Sequence, residues 1–351
     1  DFDTPEHIKE AAAQALRDGY THYGPSPGLP ELREAIAEDI SRARGIDVRP
    51  SEVVVTPGAK PILFFSILAL VDEGDAVIYP DPGFPIYESV IRFVGGEPVP
   101  VPLRERDAFR LDADELRRLL SPRTRLVILN SPHNPTGGVL APEDLQAIAA
   151  LCLERGIMVL SDEPYCEILY EGRHHSIAAI PGMKDLTILV DGFSKTYAMT
   201  GWRLGYGVMP EELAERVARL ETNCNSCTAA FVQRAGLAAL RGPQDSVAEM
   251  VAEFRARRDI LAEELNRLPG LRCLRPAGAF YAFPNIEATG LGCRDLAHRL
   301  LEEADVALLA GTDFGGYGEG HLRISYATSR DNLRTAVERM AAFLARSGLS
   351  G

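Results

Sequence analysis

The run Thr187-Ile188-Leu189-Val190-Asp191-Gly192-Phe193-Ser194-Lys195 decides the reading of this chain. Its short apolar, largely β-branched start predicts a buried strand, Gly192 stops it, and a lysine beside a hydroxyl follows at the carboxyl end. Working outward, the same shape recurs at Val53–Val55, Ala76–Tyr79, Leu126–Leu129, Ile157–Leu160 and Leu204–Val208. Helical patterns near 59–71, 86–94, 141–155 and 211–222 lie between these runs. Such alternation predicts an α/β domain with a largely parallel sheet. Upstream, Thr4-Pro5 reads as N-cap and first helical residue, with Ile8, Ala12 and Leu16 on one face and Gly19 as the stop. A second helix runs from Leu29-Pro30 to Gly45. Beyond about 243 the pattern becomes a long charged helix and short strands around Cys273 and at Phe280–Phe283. A helix near 295–304, a strand at Leu322–Tyr326 and a closing helix complete this smaller α+β part.

At 351 residues the chain exceeds what one core usually organises, so two packed lobes are expected. Hydrophobic residues at 46% and charged residues at 25% place it among ordinary globular proteins. A formal charge of −13 repels polyanions, so neither nucleic acid nor an anionic membrane is an expected partner. The longest apolar run, Ile62–Val71, is half the length of a membrane span and reads as a buried helix. Cys224 and Cys227 form the one Cys-x-x-Cys, without a second ligand pair at zinc spacing, so no metal is expected and the six cysteines read as reduced thiols. No signal-peptide pattern opens the chain, which begins at Asp1 without an initiator Met, and a cytoplasmic location is expected.

Ligands in open α/β sheets bind beyond the carboxyl ends of the strands, and those positions are polar here. Val53–Val55 runs into Thr56-Pro57-Gly58-Ala59-Lys60, where a glycine before a helix lets backbone N–H groups approach an anion. Leu126–Leu129 ends in Asn130-Ser131-Pro132-His133-Asn134-Pro135-Thr136-Gly137, a turn carrying an amide donor. Ile157–Leu160 delivers Asp162 and Tyr165, with a helix cap as the plain alternative for Asp162. Arg203 lies eight residues beyond Lys195. One cofactor uses an amine, an acid, neutral donors and a phosphate clamp together: pyridoxal phosphate.

With Asn134-Pro135-Thr136-Gly137, Asp162-x-x-Tyr165 and Ser194-Lys195-x7-Arg203 in this order, the chain resembles the class I/II aminotransferases of fold type I, aspartate-aminotransferase-like, from Tyr23 to Tyr326. The resemblance implies a large cofactor domain over 1–245 with a mostly parallel seven-stranded sheet flanked by helices. A small C-terminal α+β domain over 246–351 follows, while the family's N-terminal segment, which covers the site, is absent from these residues. It implies pyridoxal 5'-phosphate joined to Lys195 as a Schiff base, with Lys195 also shuttling the proton. By the same resemblance Asp162 holds the ring nitrogen, Asn134 and Tyr165 the phenolic oxygen, and Phe84 the ring face. Gly58, Ala59, Lys60, Ser194 and Arg203 would bind the phosphate, and Arg323, with Asn134, the substrate α-carboxylate. Tyr23 resembles the tyrosine that reaches a neighbouring subunit's site, which implies a homodimer.

Two departures stand out. Gly192 occupies the place of a phosphate-binding hydroxyl, and Pro164 that of an apolar residue. The expected reaction moves an amino group between an L-amino acid and a 2-oxo acid by a ping-pong route. The alternatives are a lyase, decarboxylase, cyclase or oxidase on the same cofactor, and a non-catalytic pyridoxal-phosphate-sensing domain, which the absence of a basic helix-turn-helix segment disfavours. Lys60 does not settle the side chain admitted. The stretch 222–228, which such enzymes place near the substrate, offers no arginine for a second carboxylate, so neutral or aromatic donors are expected.

Overall fold

A computed structural model describes residues 1–348. Seven strands form one sheet: β1 (Val53–Thr56), β2 (Ala76–Asp81), β3 (Glu97–Pro102), β4 (Thr124–Asn130), β5 (Met158–Asp162), β6 (Thr187–Gly192) and β7 (Gly205–Val208), ordered β1-β7-β6-β5-β4-β2-β3. Pairings from β3 to β6 are parallel, and only β7 runs against its neighbours β6 and β1. The short apolar runs take this form because both sheet faces are covered. Val54, Val77, Leu126, Ile128, Leu160, Ile188 and Val190 pack toward helices Lys60–Leu70, Ile86–Phe93 and Glu211–Asn225. Their alternate neighbours Val53, Val55, Ile78, Val127, Val159 and Leu189 pack toward the opposite layer, which includes helices Glu6–Arg17, Pro30–Arg44, Pro142–Arg155 and Ala230–Arg241. A strand buried on both sides needs continuous rather than alternating hydrophobicity.

Several expectations are corrected. The strand β3, Glu97-Pro98-Val99-Pro100-Val101-Pro102, was not anticipated; three prolines remove its N–H donors, which confines it to the sheet edge where it is found. Helices Ala113–Leu119 and Ala230–Arg241 were not anticipated either. The first helix starts at Glu6, so Thr4 is not its side-chain cap; the Thr4 hydroxyl donates to the carbonyl of Ala198 and accepts from the Trp202 indole. Leu16 is exposed, and Ala15 takes its place on the buried face. Near Cys273 there is an isolated bridge, Arg272 to Asn285, rather than a strand.

The second sheet is small: β8 (Tyr281–Ala282), β9 (Leu309–Ala310) and β10 (Leu322–Ser325), antiparallel in the order β8-β10-β9. Helices Cys293–Ala304 and Arg330–Arg346 cover it through Leu296, Leu300, Leu333, Val337 and Phe343. The 21-residue helix Asp245–Leu265 contributes to both cores: Val247 and Met250 to the large one, Phe254, Leu261 and Leu265 to the small one. Among the described residues no helix is long and apolar enough to cross a membrane.

Candidate active site

The carboxyl ends of β4, β5 and β6 open into a cavity of about 430 Å³, closed on one side by β8 and β10. Parallel pairing aligns these ends, with Asn130 beside Asp162 and Asp162 beside Val190, so polar residues distant in sequence converge. The cavity is lined by Ala59, Lys60, Phe84, Asn134, Asp162, Tyr165, Ser194, Lys195, Arg203 and Arg323 from the sequence reading. Gly58 adjoins it behind Arg203, and Tyr23 stands away from it, 88% exposed. Asp162 is the last residue of β5 and caps no helix.

Charge is unbalanced here. Lys60, Lys195, Arg203 and Arg323 all line the cavity, and among the described residues none pairs with a carboxylate; Asp162 is the one acid in the lining. Arg203 donates from Nη1 to the carbonyl of Thr200 at 2.6 Å and holds a left-handed backbone, φ 55°. Its guanidinium lies against Gly58: a Cβ there would stand 2.2 Å from Nη2, and Gly58 has φ 87°, so position 58 suits glycine on both counts. The Gly58 N–H is already bonded to the carbonyl of Thr56, so of the three backbone donors expected at a phosphate only those of Ala59 and Lys60 remain. Burial, then the nearby Arg203, Lys60 and Arg323, lower the pKa of Lys195 and favour a neutral, nucleophilic amine. Its Nζ lies 5.9 Å from the centre of the Tyr165 ring and 5.5 Å from that of Phe280.

Burial pushes the Asp162 carboxyl up to about 7, opposed by a hydrogen bond from Tyr87 and reinforced by Glu163. Glu163 itself faces away from the cavity, into Arg44, His174, Ser161 and Ser176, and these partners outweigh its burial and hold it at about 2. Arg323 is clamped between the rings of Tyr281 and Phe314, 4.8 and 4.7 Å from its Cζ, with Nη1 3.4 Å from Oδ1 of Asn134. Its Nε is buried without a partner. An unpaired buried guanidinium N–H is costly, and a carboxylate ligand satisfies it.

Sequence reading missed Tyr87, whose hydroxyl donates to Asp162, and Tyr281, whose hydroxyl lies 2.8 Å from that of Tyr165. It also missed Asn130, whose side chain donates to the carbonyl of Asp162 and accepts from the N–H of Asn134, fixing the turn. Among these, Asn130 was within the quoted turn motif and so open to recognition.

A larger cleft of about 730 Å³ lies behind Gly192–Tyr197. Its charged lining is mixed, with Arg42, Arg44 and Arg255 against Asp39, Glu167 and Asp191, and it lacks the uncompensated positive charge of the first. Among the described residues no three His, Cys, Asp or Glu side chains gather as metal ligands.

The donor set fits pyridoxal phosphate and an amino acid: cations for a phosphate and a carboxylate, an amine for an aldehyde, and a buried acid without a counter-cation for a basic ring nitrogen. Comparison with known proteins agrees. The family model for aminotransferase class I and II matches residues 1–340. An aspartate aminotransferase of Pyrococcus abyssi is 43% identical over 354 aligned positions, covering 100% of this chain and 91% of that protein. The aromatic-amino-acid aminotransferase 2 of Thermococcus litoralis is 42% identical, over 97% and 88% respectively. Among solved structures, the aromatic aminotransferase of Pyrococcus horikoshii superposes with a TM-score of 0.98 at 44% identity, over 99% of this chain and 94% of that one.

Proposed function

We propose, given that the chain belongs to the class I and II aminotransferases, a residue-by-residue account of how it performs pyridoxal-phosphate-dependent transamination. The observation that carries it is the cavity in which Lys60, Arg203 and Arg323 stand without a carboxylate partner around the amine of Lys195 and one buried acid. Pyridoxal phosphate, when bound, supplies an aldehyde that condenses with amines and a ring that accepts the electron pair left when a Cα proton departs. Arg203, the Ser194 hydroxyl and the N–H groups of Ala59 and Lys60 would hold its phosphate, with Gly58 giving Arg203 room. Asp162 would hold the proton on the ring nitrogen. Asn134 and Tyr165 would donate to the phenolic oxygen, and Phe84 would cover the ring face.

Arg323 grips the substrate α-carboxylate through its free Nε, held flat by Tyr281 and Phe314. That grip would set Cα before Lys195, whose Nζ would hold the cofactor's aldehyde carbon and, once free, would carry the proton between the substrate Cα and C4′ of the cofactor. The cofactor would keep the amino group as the first substrate leaves as a 2-oxo acid, a second 2-oxo acid would take that group by the reverse steps, and the kinetics would be ping-pong. We further propose that the active unit is a homodimer, with Tyr23, 88% exposed in one subunit, completing the partner's phosphate site.

Lys60 widens the donor range rather than fixing it. Its Nζ lies 5.1 Å from the centre of the Phe84 ring, pairs with no carboxylate among the described residues, and lines the cavity. A free cation over an aromatic ring suits both an acidic and an aromatic side chain, and relatives are named for both. The proposed donor range therefore includes acidic amino acids as well as the neutral and aromatic ones expected from 222–228.

Visible spectra test the reaction. The absorbance of the bound cofactor is expected to shift on adding an amino donor and to return on adding 2-oxoglutarate. No shift with any of the twenty amino acids overturns the account. Lys60→Ala is expected to lower kcat/KM for aspartate about tenfold or more while changing phenylalanine little, the loss of one charge-assisted contact. An equal effect on both donors removes Lys60 from side-chain selection.

A further inference from the structure

We propose that Tyr87 is a positioning residue for the reaction: by donating to Asp162 it keeps the shared proton on the cofactor's ring nitrogen rather than on the carboxylate. This rests on the reading above that Asp162 meets that nitrogen. Tyr87 is fully buried on helix Ile86–Phe93, and its hydroxyl donates to Oδ2 of Asp162 at 2.5 Å. No other side chain donates to this carboxylate among the described residues, while Asp162 faces the cavity as its single acid. Phe84, three residues before Tyr87, also lines the cavity, and the two rings meet edge to face at 6.0 Å. One short segment thus reaches the cofactor twice, by Phe84 over the ring and by Tyr87 through Asp162.

The direction of the effect follows from proton affinity. A carboxylate in a dry site, next to the anionic Glu163, binds a proton tightly. Set against a pyridine nitrogen, it faces two arrangements with the same total charge: carboxylate with protonated nitrogen, or carboxylic acid with neutral nitrogen. A phenol O–H on Oδ2 stabilises the carboxylate and so favours the first. Removing that hydroxyl moves the proton from nitrogen to oxygen and weakens the ring as an electron acceptor. Substrate binding through Arg323 is untouched, so the loss should fall on kcat rather than KM.

The test uses holoenzyme loaded with pyridoxal phosphate labelled with ¹⁵N in the ring, read by NMR, with Tyr87→Phe and Asp162→Asn as variants. The expected result is a protonated-nitrogen signal in the parent, a shift toward the unprotonated position in Tyr87→Phe, and a larger shift in Asp162→Asn. In Tyr87→Phe, kcat should fall about tenfold or more with KM within about twofold, and the kinetic isotope effect from Cα-deuterated donor should rise. An unchanged nitrogen signal in Tyr87→Phe, with a shift in Asp162→Asn, overturns the role of Tyr87 alone. An unchanged signal in Asp162→Asn overturns the underlying site reading instead. If Tyr87→Phe does not fold, 3-fluorotyrosine at position 87, a stronger donor of nearly the same shape, should lower the nitrogen's readiness to lose its proton as pH rises; no change from the parent's titration overturns the proposal.

Discussion

Lys195 owes its reactivity to where it sits rather than to what it is. A surface lysine is an ammonium at neutral pH; this one is partly withdrawn from water and shares a cavity with Lys60, Arg203 and Arg323, all of which disfavour its charge. Lys195→Ala is expected to cut turnover roughly 10⁴-fold, the upper range for a proton-transfer group. The same variant should retain pyridoxal phosphate through gel filtration, because the phosphate and ring contacts are separate from the amine. Retained multiple turnover would remove Lys195 as the base. That Lys195, Asp162 and Asn134 share one cavity was legible in sequence because each lies at or within four residues of the end of a strand, and strand ends in a parallel sheet share one edge. Tyr87 and Tyr281 were not: each lies inside an element, and what its hydroxyl meets is set by packing between parts 75 and 116 residues apart.

Elements act here mainly through close approach. The turn between β1 and helix Lys60–Leu70 brings Gly58 against the Arg203 guanidinium and Ala59 against Gly205, where a Cβ would stand 2.3 Å from the Ala59 nitrogen. Two backbones meet with no side chain between them, and this packs Ala59, Lys60 and Arg203 around one volume. Gly58→Ala must push Arg203 aside and hold alanine at a left-handed φ, a strain of about 1–3 kcal/mol. Its affinity for pyridoxal phosphate is expected to fall about tenfold or more in a fluorescence titration of apo-protein, while affinity for pyridoxal, which lacks the phosphate, stays unchanged. Equal losses for both ligands would point to general disruption of the site. A glycine before a helix signalled an anion cradle in sequence, but its main observed task, making room for an arginine 145 positions later, was not visible there. The edge strand β3 escaped for the opposite reason: its three prolines argue against a strand unless one knows that its outer edge lacks a partner.

At the scale of the whole molecule, the site concentrates charge that the apo-protein stabilises poorly. Burial pushes Asp162 and Asp191 up to about 7 and Asp81 to about 6, each despite partners that oppose it. Unfolded, these acids lose their protons near pH 4. Between about 4 and 7 the folded chain therefore holds protons on these acids that the unfolded chain has released, so their contribution to folding stability falls as pH rises, offset up to about 6.5 by His133, whose burial lowers its pKa to about 3. Glu163 acts in the other direction, but only below this window: held at about 2, it adds stability above about 4.5 that is lost as pH drops further. Each raised acid contributes at most about 1.4 kcal/mol per pH unit while it titrates. On the proposed placement, a protonated ring nitrogen beside Asp162 would supply the missing counter-charge and cancel that residue's share. Urea denaturation of the apo-protein from pH 4.5 to 7 should thus show stability declining more steeply than in the cofactor-loaded protein. Asp162→Asn should flatten the apo-protein's decline by about one group's worth and leave the loaded protein with less stabilisation from its cofactor. If apo and loaded forms decline with the same slope, Asp162 does not meet the ring nitrogen, and the charge of this cavity is balanced in some other way.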